Sequence, residues 1–204
     1  MRKIVQVNKM VKVLWKDWRR LGFSLMRLGA RMVKPIVKEN QYWLLETVIN
    51  DIELCLEKDV SLLQIKPNEL ENLARNQMNT HVWTWDSNYY YFRFEDFKAV
   101  KTKDLIDRIK WLADKFDCDN IASLFSSLMV VIFGCNSVGV ALGAVIDKDT
   151  NRVMGYHAYN CLPLKVNDKV ELYLFEPQTD YLAKAFKITD MDWARYRTDF
   201  VIWR

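Results

Sequence analysis

The sequence predicts an α+β protein in which helices come first and an antiparallel sheet follows. Apolar residues recur at helical spacing through the first part of the chain. In the second half, short β-prone runs alternate with turns that contain Asp and Asn. The chain has 204 residues, half of them hydrophobic, so it is long enough to bury a sizeable core. We therefore expect a helical extension over residues 1–65 and one main domain over residues 66–204.

The extension is predicted to begin with a basic amphipathic helix over residues 4–33, which Pro35 ends because its ring cannot continue a helix. Residues 1–40 carry eleven Lys and Arg against two acids, whereas the rest of the chain carries nineteen against twenty-four. This asymmetry indicates contact with an anionic surface or a protein partner. Four interpretations stay open: a membrane surface, a nucleic acid stacked on Trp15 and Trp18, a protein or second copy, and packing on the chain's own domain.

Further helices and one strand are predicted before the main sheet. A helix over residues 39–58 has an apolar stripe, and a shorter helix is expected to begin at Asn68, a favourable N-cap residue. The aromatic run over residues 89–94 is β-prone. Thr102 is the expected N-cap of a helix over residues 103–115.

The last part of the chain supplies the predicted sheet. A helix is expected from Cys118 to about residue 131, and a short helix near residues 180–187. The predicted strands cover residues 138–146, 153–162, 169–175 and 200–203. Short polar turns join the first three strands, so these strands are expected to pair in antiparallel fashion.

Cysteine usage and the lack of long apolar runs bear on location. The four cysteines, Cys55, Cys118, Cys135 and Cys161, lie far apart with no CxxC pair, so neither a zinc ribbon nor a disulfide framework is indicated. Free thiols favour a reducing compartment. Charges interrupt the first apolar residues and no run is long enough to span a membrane, so we expect no signal peptide or transmembrane segment. A cytoplasmic or virion-associated location is the resulting prediction.

Cys118 is the candidate nucleophile of the chain. It stands between Asp117 and Asp119, directly ahead of the apolar run of the predicted helix. The unpaired N–H groups at a helix start favour an anion, and the thiolate is the reactive form of cysteine. The two flanking acids act in the opposite direction, so they must cap the helix, point elsewhere or bind a cation.

His157 and Glu176 are the candidate partners of Cys118, because successive predicted strands carry them. A histidine beside the thiol can take its proton and later return it. Glu176 ends the next strand, where it can accept the second imidazole N–H and fix the orientation of the ring. Neighbouring strands lie about 4.8 Å apart, which permits this contact. Each residue alone is more often structural, and the prediction depends on their placement.

Three short segments resemble those of the papain-like and transglutaminase-like cysteine peptidase superfamily. They are Asp117–Ala122, His157–Asn160 and Glu176–Thr179. The likeness is strongest to the papain-like C-terminal domain of fungal agglutinins and related bacterial and phage proteins, over residues 85–204. It implies a papain-like fold, with the helix that carries the cysteine packed on an antiparallel sheet. It also implies that Cys118, His157 and Glu176 are the catalytic residues.

The resemblance is incomplete at the position that would stabilise an oxyanion. Papain relatives place a Gln side chain before the cysteine, and the segment before Cys118 contains none. The backbone N–H of Cys118 is expected to serve instead, with support from Gln178, Asn160 or Trp111.

The predicted main function is that of a cysteine peptidase or amidase, a hydrolase that forms a thioester at Cys118 with a peptide or amide substrate. This chemistry requires no cofactor, although the resemblance implies calcium, with Asp117 and Asp119 as candidate ligands. The alternative is a non-catalytic papain-like module that serves as a structural or binding unit associated with a virion, a membrane or a nucleic acid. Either function is compatible with an oligomer.

Overall fold

The computed structural model describes residues 60–101, residue 106 and residues 117–203, all within the compact unit Asp59–Arg204. Some of the features predicted from the sequence lie outside the described residues. They are the helices over 4–33, 39–58 and 103–115, together with Trp15, Trp18, Cys55 and Trp111. None of the helices in the described part of the chain combines the length and apolar character that a membrane crossing requires.

Strands make up the larger part of the described chain. They are β1 (Leu63–Ile65), β2 (His81–Thr84), β3 (Tyr89–Arg93), β4 (Gly139–Ile146), β5 (Val153–Val166), β6 (Lys169–Glu176), β7 (Tyr181–Lys184), β8 (Thr189–Asp190) and β9 (Arg195–Trp203). The strands β4, β5 and β6 are rich in Val, Leu, Ile and Tyr, which pack well on a pleated surface. All three coincide closely with predicted strands.

Three described helices accompany the sheet: α1 (Pro67–Met78), α2 (Phe94–Lys101) and α3 (Cys118–Phe133). α1 begins at Pro67, one residue before the predicted cap, Asn68. Proline is favourable in the first turn of a helix, because the backbone N–H groups there have no helical partner and proline lacks this group. α3 follows an N-cap at Asp117 and ends at Gly134, which has a left-handed φ of 74°. The predicted helix at Cys118 is therefore present.

The strands form one mixed sheet with the order β1-β3-β5-β4-β9-β2, while β6 pairs with β5 and β7, and β8 pairs with β9. Most neighbours are antiparallel, but β2 runs parallel to β9 and β3 runs parallel to β5. The long strand β5 pairs with β4 through residues 153–161 and with β6 through residues 160–166. The first part of β5 therefore extends past the end of β6, and this is where the candidate site lies.

The sheet has a different partner on each face. On one face, α1 contributes Leu70, Ala74 and Met78 to the main buried cluster, which also contains Tyr159 and Trp203. On the other face, Ala122 of α3 packs against β4 and β5. Tilted and edge-to-face contacts join the rings of α2, α3 and β6, namely Phe97, Phe125 and Phe175. This packing fixes the position of α3, and hence of its first residue, relative to β5.

The predicted fold class was wrong. A papain-like α+β arrangement, with a helix packed on an antiparallel sheet, is replaced by a structure that is mostly strand, with nine strands in a mixed sheet and few helices among the described residues. The short helix expected near residues 180–187 is instead the strand Tyr181–Lys184. The physical reason is that β2 and β3 find their parallel partners far along the chain, and local periodicity carries no information on such pairs.

Candidate functional site

The strands β5 and β6 bring His157 and Glu176 together. The register between them ends with Asn160 opposite Phe175, so the next pair places Glu176 beside Tyr159, on the same strand face as His157. His157 Nε2 and Glu176 Oε2 are 2.6 Å apart, and the two side chains are 13% and 2% exposed. This short contact between two largely buried groups fixes the orientation of the imidazole ring.

Cys118 is the first residue of α3 and lies half-buried against the same end of β5. Its side chain packs beside Ala122, Val140 and Ala158. The thiol shares a hydrogen bond with the ring of His157 and receives another from the backbone of Ala158. Because Nε2 of the ring faces Glu176, Nδ1 is the nitrogen that is left for the sulfur.

The hydrogen bond to His157 lowers the pKa of the Cys118 thiol, and this effect, with the Ala158 backbone and the imidazolium charge, outweighs partial burial and the charge of Asp117. Burial alone would lower the pKa of His157, but the hydrogen bonds and charges of Cys118 and Glu176 raise it to about 9. The two shifts have the same physical cause, because the hydrogen bond and charge between the thiol and the ring stabilise the thiolate and the imidazolium together.

The two acids that flank Cys118 have different surroundings. Asp117 is the N-cap of α3 and forms a reciprocal capping box with Asn120, whose Oδ1 accepts the Asp117 backbone N–H at 3.3 Å. Asp119 is exposed in the first turn. Among the described residues, no three His, Cys, Asp or Glu side chains form a group able to hold a metal ion. Calcium binding by Asp117 and Asp119, which the resemblance implies, stays a prediction.

Two of the three predicted supporting residues are described, and both have defined partners. The Gln178 backbone N–H donates to Glu176 Oε1 at 3.3 Å, so Gln178 contacts the carboxylate oxygen that His157 does not contact. Asn160 is fully buried, and its Nδ2 donates to the carbonyls of Ala122 and Gly139 at 2.9 and 3.2 Å. The Asn160 amide therefore ties α3 to the sheet. Trp111 is outside the described residues.

Sequence reasoning missed the aromatic residues around the His157–Glu176 pair. Tyr196 on β9 donates its hydroxyl to Glu176 Oε2 at 3.0 Å, and burial next to this carboxylate raises the pKa of Tyr196. The rings of Tyr196 and Trp193 both lie edge-on to His157, with centroids 5.5 and 6.3 Å away. The alternation of side chains along β9 could have placed Tyr196 on a buried face. The contact of Tyr196 with Glu176 of β6 could not be predicted, because it depends on the order of strands that are distant in the chain.

Gly143 is required by the packing beside the site. Tyr159 hydrogen bonds to Thr198 at 2.9 Å across β4, and its hydroxyl passes over Gly143. A Cβ at Gly143 would lie 2.8 Å from this hydroxyl and 2.0 Å from the Arg197 carbonyl oxygen. A side chain at this position would therefore push apart the strands that hold the aromatic cluster.

The other two described cysteines have a different environment. Cys135 and Cys161 are fully buried and, like Cys118, form no disulfide. Burial raises the pKa of Cys135 to about 12 and raises that of Cys161 as well. Among the described thiols, only Cys118 has a pKa that its surroundings lower.

The model of the family described as "Ricin-type beta-trefoil lectin C-terminal domain" matches residues 45–192 of this chain. The match covers more than half of the chain, so the protein belongs to this family. Comparison with curated protein sequences gives no match. The description of the family names a domain of a lectin.

Solved structures that match this chain include one titled "PSL1a-E64 complex" and one of Polyporus squamosus lectin bound to the human-type influenza-binding epitope Neu5Acα2-6Galβ1-4GlcNAc. The sequence identities are 18% and 17%, the TM-score is 0.48 for each, and each alignment covers 69% of this chain. The chain spans about half the length of these proteins, with 50% of each covered.

The family assignment corrects several predictions. The assignment to a papain-like or transglutaminase-like peptidase superfamily was wrong, because the matching family is that of a lectin domain. The predicted cysteine peptidase or amidase, acting on a peptide or amide substrate, is overturned by the same finding. Three locally similar segments around Cys118, His157 and Glu176 carried the resemblance, whereas the family match spans 148 residues, from 45 to 192.

Proposed function

We propose that this chain is a non-catalytic binding module whose ligands are carbohydrates. Membership of the lectin-domain family is the observation that carries the proposal. A binding role was the alternative to hydrolysis in the sequence analysis, and the carbohydrate ligand class comes from the family.

The surface of the described residues has side chains suited to this ligand class. Several aromatic rings are more than half exposed: Trp83, Trp85, Tyr156, Phe186 and Trp193. The C–H face of a sugar ring packs on such aromatic surfaces, while its hydroxyl groups bond to polar side chains around them.

A glycan array tests the proposal directly. The full chain, labelled on lysine, is applied to immobilised glycans that include Galβ1-4GlcNAc and its sialylated form, Neu5Acα2-6Galβ1-4GlcNAc. We expect retention on a defined subset that free glycan of the same kind competes away. If no glycan retains the folded chain above a heat-denatured control, the proposed carbohydrate-binding function is wrong.

A second candidate function concerns the thiol. We propose that Cys118 is a reactive thiolate, that His157 is the imidazolium that stabilises it, and that Glu176 orients the imidazole. The shared hydrogen bonds among the three side chains favour this role over a merely structural cysteine. Such a thiolate attacks an electrophilic carbon: the S–C bond forms and the leaving group departs with its electron pair.

The ionisation of Cys118 can be measured from the ultraviolet absorbance of the thiolate during a pH titration. The difference between the wild-type protein and Cys118→Ser isolates this residue. We expect a midpoint below the value of about 8.5 that is usual for free cysteine. A midpoint at or above that value would contradict the proposal. A cytoplasmic or virion-associated location also stays a proposal, supported by the unpaired thiols of Cys118, Cys135 and Cys161.

A further inference from the structure

We propose that Asn160 is a positioning residue of the thiol site, because its buried side chain holds the first turns of α3 where Cys118 meets His157. The inference rests on the reactive thiolate proposed above, since it names a group that places the thiol. Cys118 belongs to α3 and His157 to β5, and β4 lies between these two elements in the chain. The hydrogen bond between thiol and imidazole therefore depends on how α3 is seated on the sheet.

The carboxamide of Asn160 joins three elements. Asn160 lies in β5 two residues after Ala158, so the two side chains project from the same face of the strand. Its Nδ2 donates to the carbonyl of Ala122 in α3 at 2.9 Å and to that of Gly139 in β4 at 3.2 Å. Both N–H groups of the amide are thereby used, which fixes its position and its orientation. The amide consequently keeps no donor for an oxyanion, the supporting role that the sequence predicted for it.

The contact at Ala122 acts on Cys118 through the helix. Ala122 follows Cys118 by four residues, so the two lie on the same face of α3 in successive turns. Both side chains pack with Val140 and Ala158 in one small cluster. Ala158 also supplies the backbone group that is hydrogen-bonded to the thiol. A shift of Ala122 along the sheet would therefore move the sulfur relative to both of its partners.

Apolar packing in this cluster does not fix the helix position by itself. Ala122 and Ala158 contribute one methyl group each, and contacts between such groups are not directional. A hydrogen bond, in contrast, weakens steeply when its donor and acceptor are misaligned. The two bonds donated by Asn160 thus supply the restraint that the packing of the alanines lacks.

The burial of Asn160 favours a role beyond stability. The residue is fully buried, and its Oδ1 has no hydrogen-bond partner among the described residues. Burial of a polar atom without a partner costs free energy, whereas a leucine of similar volume would fill the same space without this cost. Stability alone would therefore favour an apolar residue at this position. The geometry that the amide imposes on α3 accounts for its presence.

Ser126 provides a matched control on the same helix. Its Oγ donates to the carbonyl of Val138, directly before β4, at 2.5 Å. This is also a bond from a side chain to a backbone carbonyl that joins α3 to the sheet. Ser126 lies one turn farther from Cys118 than Ala122 does. A general loss of bonding between α3 and the sheet would therefore appear in Ser126→Ala as well, whereas a loss of positioning would appear only at Asn160.

Iodoacetamide labelling of the full chain, followed by peptide mass spectrometry over a range of pH, tests the inference. In Asn160→Leu, which keeps the volume and removes both donors, labelling of Cys118 at about pH 6 should fall by at least about tenfold. The pH of half-maximal labelling should rise by at least about half a unit. Ser126→Ala should change the rate by less than about twofold. In a His157→Gln background, Asn160→Leu should have little further effect, since no imidazole remains to be aligned.

Labelling of Cys161, the residue after Asn160, separates positioning from loss of fold. A loosened domain would expose this buried thiol and label it faster, whereas lost positioning slows Cys118 alone. If Asn160→Leu leaves Cys118 as reactive as in the wild type, or if Ser126→Ala slows it equally, the inference is wrong and the reactive thiolate stands. If wild-type Cys118 reacts no faster than Cys135 and Cys161, the thiolate itself fails, and this inference with it. If thermal unfolding shows that Asn160→Leu does not fold, the same criteria apply to Asn160→Ser.

Discussion

Cys118 lies against the first part of β5, Cys161 lies within its second part, and the two thiols have opposite pKa shifts. Cys118 faces the first part of β5, where the His157 ring and the Ala158 backbone lower its pKa. Cys161 lies within the second part of β5, in the main hydrophobic cluster, where burial raises its pKa. Residue type is therefore a poor guide to thiol chemistry in this protein, because the local environment decides it.

The difference arises where β5 extends past β6. Cys161 is covered on both edges of the strand, since β4 and β6 pair with it. Near His157, β6 has ended, and the thiol of Cys118 occupies the space beside the strand. An unpaired strand edge thus supplies a backbone donor and room for a polar pair, whereas a fully paired strand leaves a thiol only apolar neighbours.

The largest expected effect is the contrast in alkylation between the thiols. With iodoacetamide at about pH 6, we expect Cys118 to be labelled at least about 10³ times faster than Cys135 or Cys161, because a thiol of pKa about 12 is almost wholly protonated there. Peptide mass spectrometry after timed quenching measures the rate at each position, and Cys118→Ala removes the fast phase. Equal, slow labelling of all three thiols would show that their different surroundings do not change their reactivity.

The second prediction concerns His157. Replacing it in His157→Gln removes the group with the largest effect on the Cys118 pKa, so labelling of Cys118 at about pH 6 should fall by roughly 10- to 100-fold. The matched control is His81→Gln, since His81 is the only other histidine in the chain and is exposed. Similar rates in the two variants would mean that the imidazole does not stabilise the thiolate.

The third prediction is a pH-dependent loss of stability. Because the pKa of His157 is raised from 6.5 to about 9, the folded state binds its proton more tightly than the unfolded state. The resulting stabilisation, roughly 1–3 kcal/mol, is complete below about pH 6.5 and is lost as the pH rises through about 9. Urea unfolding should therefore show a gap between wild type and His157→Gln that narrows between these pH values. If the difference in the free energy of unfolding between the two proteins instead grows with pH, the pKa of His157 is not raised in the folded state.

The smallest expected effect on reactivity is that of Tyr196→Phe. Loss of the hydroxyl removes a buried hydrogen bond to Glu176, which should lower the free energy of unfolding by roughly 1.5–3 kcal/mol. His157 keeps its own contact with the carboxylate, so the labelling rate of Cys118 should change by no more than about threefold. Tyr156→Phe, at an exposed tyrosine, is the control for stability. A large change in labelling would instead make Tyr196 part of the thiol's activation.

Local sequence signals were informative for the central part of the fold. The apolar run after Cys118 predicted α3, and the β-prone runs predicted β4, β5 and β6 within a few residues. The segment over residues 180–187 was predicted as a helix because its spacing is ambiguous, yet pairing with β6 makes part of it a strand. The parallel partners of β2 and β3 could not be predicted, since they lie far away in the chain.

The same distinction holds for the candidate site. Placement on successive strands predicted a contact between His157 and Glu176, and these side chains are 2.6 Å apart in the structure. Tyr196 and Trp193 were missed because they reach the site from β9 and the segment before it, which neighbour β6 only through the tertiary arrangement. The edge-to-face contact between Trp83 and Phe200 was missed for a similar reason, since the two residues lie more than a hundred positions apart in the chain.

The sequence by itself determined where α3 begins, the approximate extent of β4, β5 and β6, and that a thiol stands at a helix start. These features follow from local spacing and capping, which act over a few residues. Only the tertiary structure decided the mixed strand order, the end of β6 beside His157 and the joining of Trp83 to Phe200. Such features arise from pairings between distant segments, whose stability depends on burial that no single segment achieves alone.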